Sequence, residues 1–185
     1  MNFTPQRRLM IRKSFTLTSL MPKFDIDIYH EFATANVSAI LKFKFNGANG
    51  PTFRINQATH HQVLMGVKKA VDWFYDDSKA DLFVVNEKDQ LVFNNDYNDL
   101  SVVINSAQAY NEHMEIRPCV NNAESERGHE GVIIFLNSAS SYIVINREEL
   151  EEIYTLLSNF SYQAEIDLLL KVDMLATKMV IQQPI

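Results

Sequence analysis

Apolar and polar side chains alternate along this chain with a period that changes several times, and each change marks an element. Ser14-Phe-Thr-Leu-Thr-Ser-Leu20 alternates apolar with hydroxyl residues, as a strand with one buried face does, and Met21-Pro22 closes it because proline cannot continue a ladder. Phe24, Ile26 and Ile28 then share one face of a second strand, with Asp25, Asp27 and Tyr29 on the other. After a loop around Thr34 to Asn36, Leu41, Phe43 and Phe45 lie opposite Lys42 and Lys44 in a third. Asn46-Gly-Ala-Asn-Gly-Pro51 supplies residues that tolerate positive φ, so it predicts a hairpin turn, and Thr52 to Ile55 returns as the fourth strand.

The period then lengthens. Val63, Leu64, Val67, Ala70, Val71 and Phe74 fall on one face of a helix running from Gln57 to Tyr75, with Asn56 placed to cap it. Gly66, inside that helix, costs about 1 kcal/mol relative to alanine and so predicts a close approach by another backbone.

Short strand patterns follow at Leu82 to Val85, Gln90 to Phe93, Leu100 to Ile104 and Met114 to Arg117, the last ended by Pro118. A polar loop from Asn121 to Gly131 leads to Val132 to Leu136, an Asn137-Ser-Ala turn, and Tyr142 to Ile145. Asn146 caps a second helix, and Glu149 three residues later adds a capping-box signal. The two capping asparagines stand 90 residues apart, and Val63, Leu64, Val67 and Ala70 after the first match Ile153, Tyr154, Leu157 and Phe160 after the second. The expected fold class is therefore α+β: two antiparallel sheets of about four strands, each followed by a helix, arranged as an internal duplication with pseudo-twofold symmetry. An extra C-terminal helix from Tyr162 to Met179 carries a stripe of Leu168, Val172, Leu175 and Met179. The segments are a basic arm at 1–13, a first repeat at 14–76, an acidic connector with short strands at 77–98, a second repeat at 99–160 and a C-terminal helix and tail at 161–185, all in one compact domain.

Composition fits that picture. With 185 residues, 46% of them hydrophobic, the chain is long enough to bury a real core. A single cysteine, Cys119, cannot form an internal disulfide, and no basic start leads into an apolar run with a cleavage site, so the cytoplasm is the expected compartment. No uninterrupted apolar stretch is long enough to span a membrane. The net charge of -6 is unevenly spread: Arg7, Arg8, Arg12, Lys13 and Lys23 precede the first acid, Asp25, whereas Asp76, Asp77, Asp81, Glu87, Asp89, Asp96 and Asp99 crowd the middle.

The repeated strand-rich unit with its helix, over approximately Ser14 to Phe160, resembles the Whirly-type single-stranded-DNA-binding proteins. It is also similar to a fused dimer of the eukaryotic transcriptional positive cofactor that binds single-stranded DNA, of which phage-encoded relatives are known. The resemblance lies in element order and repetition, and it implies a non-enzymatic binder of single-stranded DNA or RNA, acting in replication, recombination or transcription.

On the residues themselves, Lys42, Lys44 and Arg54 share the polar side of the first repeat and can track phosphates, with Arg12 and Lys13 adding charge and Tyr29 a ring on which a base can stack. Asp25 and Asp27 lie on the same side and can instead pair with those lysines. In the second repeat the equivalent positions are Ile133, Phe135 and Val144, so the same face is apolar. It is then covered by the C-terminal helix, buried against another protomer, or open as a stacking platform of Phe135 and Tyr142.

Catalytic and metal signatures are missing. His30, His60, His61, His113 and His129 lack zinc-site spacing, the turn at Asn46 to Pro51 lacks the lysine and hydroxyl of a phosphate loop, and no serine sits in a Gly-x-Ser-x-Gly elbow. The expectation is a protein without enzymatic activity, cofactor or metal, forming a homo-oligomer. The competing expectation is a protein-interaction or assembly module that binds no nucleic acid.

Overall fold

The computed structural model describes residues 7–8, 15–16, 24–33, 36–45, 52–105, 112–122, 125–137, 142–168 and 170–171, with side chains from Ala39 to Phe43 and from Thr52 onward. β1 (Arg7–Arg8), β2 (Phe15–Thr16), β3 (Phe24–Ala33), β4 (Asn36–Phe45) and β5 (Thr52–Ile55) form an antiparallel sheet in which β1 and β2 both pair with the outer edge of β3. Helix α1 (Gln57–Asp72) follows directly, then a separate hairpin of β6 (Phe83–Val85) and β7 (Leu91–Phe93). A second antiparallel sheet takes β8 (Val102–Asn105), β9 (His113–Asn121), β10 (His129–Leu136) and β11 (Tyr142–Asn146) in meander order, and α2 (Arg147–Asn159) follows that. A third helical stretch occupies 162–168. Among the described residues the fold is α+β, with several antiparallel sheets and three helices.

Local chemistry accounts for the helix starts. Asn56 Oδ1 accepts from the Thr59 amide at 3.0 Å while the Thr59 hydroxyl accepts from the Asn56 amide at 3.2 Å, a reciprocal cap in which threonine takes the usual glutamate's place. At α2 the Asn146 amide donates to Glu149 Oε2 at 2.9 Å, as expected. Both helices turn an apolar stripe onto one shared core, where Val63, Val67 and Ala70 of α1 and Leu150, Ile153 and Leu157 of α2 meet inward residues of both sheets. Those residues include Leu41, Phe43, Phe53 and Ile55 from the first sheet and Ile104, Ile116, Ile134 and Ile145 from the second. Each large side chain buried this way contributes about 1.5–3 kcal/mol.

Several expectations change. The third strand begins at Asn36 rather than Leu41. Helix α1 ends at Asp72, and 73–75 form a turn. Pro118 does not end its strand: β9 runs on to Asn121 with Pro118 opposite Val132. The reason is topological, since β8 pairs only as far as Ile116, and a residue without an N–H fits where a strand has a neighbour on one side alone. Gly66 does mark a close approach, but by side chains rather than a backbone. A Cβ there would lie 2.6 Å from Ile104 Cδ1 and 3.3 Å from Val102 Cγ1, so α1 sits directly on β8 of the second sheet. The turns at 46–51 and 138–141, most of the strand at 14–20, most of the arm at 1–13 and the helix beyond 171 lie outside the described residues.

The two halves are also joined by polar contacts. His60 of α1 bonds the Leu157 carbonyl through Nε2 at 2.8 Å and the Tyr162 hydroxyl through Nδ1 at 3.1 Å, with Phe160 stacked on its ring. The free edge of β5 is closed by side chains: Asn137 Nδ2 donates to the Thr52 carbonyl at 2.9 Å, and the Arg54 amide donates to Glu112 Oε2 at 3.0 Å. Asn137 reaches that edge from a left-handed turn (φ 64°) after β10, where it also bonds His113. An edge strand offers unpaired amides and carbonyls to any passing strand, and these contacts occupy two of them.

Candidate nucleic-acid interface

Strand register places the sequence-selected cations of the first sheet. Lys42 on β4 stands opposite Arg54 on β5 and Asp27 on β3, and Lys44 stands opposite Thr52 and Asp25. Register thus sets an acidic residue opposite each lysine. Arg54 has its own carboxylate: its Nε donates to Glu112 Oε1 at 3.0 Å, while its amide takes the other oxygen. Tyr29 lies farther along β3, opposite Ile40, which is 8% exposed. Arg12 and Lys13 lie outside the described residues.

On the second sheet the inward set is Met114, Ile116, Val132, Ile134, Ile143 and Ile145, all buried. Alternation turns the intervening residues outward, and register arranges them in rows. One row reads Tyr142, Phe135, Glu115, Val103 across β11, β10, β9 and β8; the next reads Val144, Ile133, Arg117. Tyr142 is 52% and Val103 54% exposed, while Ile133, Phe135 and Val144 are half-buried. The Phe135 and Tyr142 rings lie 5.8 Å apart at 54°. Arg117 extends over Phe135, its guanidinium carbon 5.6 Å from the ring centroid, and its Nε donates to Glu115 Oε1 at 2.7 Å. The described start of the C-terminal helix lies elsewhere, with Tyr162 beside His60 and Ile55.

Arg117 and Glu115 were not singled out from the sequence. The signal was present, because inward Met114 and Ile116 force both outward, but pairing them with Phe135 needs the register of the β9–β10 hairpin.

Among the described residues, other chemistry-bearing groups do not assemble into a site. Burial pushes the Cys119 thiol up to about 12, which keeps it protonated and poorly nucleophilic. A cleft of about 350 Å³ at the C-terminal end of α1 is lined by Tyr75, Asp76, Asp77, Lys79 and Glu130 among others. Its lysine is bonded to Asp76, and the Tyr75 hydroxyl to Glu151. Among the described residues no three His, Cys, Asp or Glu side chains are grouped to hold a metal, and no helix is long and apolar enough to cross a membrane.

No protein-family model matches the sequence, and no curated protein matches it.

Proposed function

We propose that this protein is a non-enzymatic binder of single-stranded nucleic acid, acting in replication, recombination or transcription, and that it binds through the outward face of the second sheet. One observation carries the reading: an exposed tyrosine, a second aromatic ring and an arginine laid over that ring occupy adjacent positions on a sheet face. Bases stack on such surfaces, and the guanidinium adds both a stacking plane and a charge for the phosphate. Two antiparallel sheets, each followed by a capped helix, also suit the Whirly-like arrangement and an internal duplication with pseudo-twofold symmetry. In that arrangement the first copy lacks the platform, and its Arg54 is bonded to Glu112.

The test is fluorescence anisotropy of a labelled, unstructured oligonucleotide at low and moderate salt, with Tyr142→Ala and Arg117→Ala beside the parent chain. Binding that weakens with salt and is lost in the two variants supports the reading; absence of binding at low salt overturns it. A second reading is favoured by Val103, Ile133 and Val144, which give the same face an apolar area suited to contact between copies. Under it, sedimentation shows an oligomer that Val103→Glu breaks, and oligonucleotide stays unbound.

A further inference from the structure

Resting on the nucleic-acid reading above, we infer that Glu115 reads the edge of the bound base, so that the face favours cytosine over uracil. Glu115 sits in the same row as Phe135 and Tyr142, directly opposite Phe135. Its Oε1 is held by Arg117 Nε, and its Oε2 makes no hydrogen bond among the described residues. The carboxylate is thus fixed at the border of the stacking plane with an accepting oxygen to spare, and its side chain is only 21% exposed.

A base lying on the guanidinium of Arg117 or on the neighbouring ring brings its hydrogen-bonding edge to that oxygen. An ionised carboxylate can only accept. The exocyclic amino group of cytosine donates to it without opposition. Uracil has one N–H on this edge, flanked by two carbonyl oxygens that repel the carboxylate. Phosphate is repelled as well, which fixes the strand with its base over Glu115 and its backbone toward the Arg117 side. Stacking alone is tolerant of sequence, so any cytosine preference has to come from a group such as this one.

The test compares oligodeoxycytidine with oligodeoxyuridine of equal length, which removes the methyl group of thymine from the comparison. The parent chain is expected to bind the cytosine strand roughly fivefold to tenfold more tightly at one fixed salt concentration. Glu115→Gln, whose amide both donates and accepts, should bring the two strands to within about twofold while Tyr142→Ala weakens both together. Equal, Tyr142-dependent binding of the two strands by the parent chain would overturn the base reading and leave the nucleic-acid function standing. A cytosine preference that survives Glu115→Gln would overturn the assignment to this residue. Failure to bind either strand would overturn the inference together with the function on which it rests.

Discussion

The two sheets present their apolar sides to one core and differ on the outside. On the first, register sets an acidic residue opposite each lysine, and Glu112 holds Arg54 through both of its oxygens. On the second, charge is sparse, but Arg117 lies against an aromatic ring with Tyr142 beside it. Counting cations would choose the first face. Arg117 is paired with Glu115 as Arg54 is with Glu112, so the choice turns on the rings of Phe135 and Tyr142, on which bases can stack.

Tyr142→Ala with Arg117→Ala should weaken oligonucleotide binding at least roughly thirtyfold, about 2 kcal/mol, whereas Lys42→Ala with Arg54→Ala should change it less than about twofold. Titration by anisotropy at constant salt decides between them, and the opposite ranking would return the site to the first sheet.

Glu112 ties the two sheets together, and its removal tests how much of the Arg54 pairing is structural. Glu112→Ala leaves the half-buried Arg54 amide and guanidinium without their acceptor, and urea unfolding should show a loss of about 1–3 kcal/mol. Glu112→Gln, which still accepts, should lose less. A smaller effect is expected from removing the acids set against Lys42, Lys44 and Arg54. Asp25→Asn, Asp27→Asn and Glu112→Gln combined should raise affinity roughly threefold at low salt and steepen its salt dependence, if pairing is what silences the first sheet.

The weakest effect concerns the connector between the sheets. Lys79, and then Ser78, hold the Asp76 carboxyl down to about 2 from an ordinary 3.8. A lowered folded-state value means the unfolded chain takes up the proton first. Whatever Asp76 contributes is therefore complete above the ordinary value and lost as pH falls through about 2. Carboxyl NMR should place its midpoint near 2, and Lys79→Ala should move that midpoint upward.

Much of the fold was legible because it is written locally. Phe24 to Ile28 and Leu41 to Phe45 announce their strands by strict alternation, and Asn56 and Asn146 announce the helices within one turn. Pro118 misled because its tolerance depends on where β8 stops, which is set by pairing rather than by its neighbours in sequence. The candidate site was half legible for the same reason. Phe135 and Tyr142 stood out on their own, but Arg54 meets its carboxylate 58 residues away, and Arg117 meets Phe135 only through hairpin register.

The closure of β5 by Asn137 and Glu112 has a consequence for growth. A second copy cannot extend the first sheet past β5 without first displacing two side chains supplied by the molecule itself. Addition of strands in that direction is self-limiting, so end-to-end stacking of first sheets into a continuous ribbon is blocked at one end of each subunit.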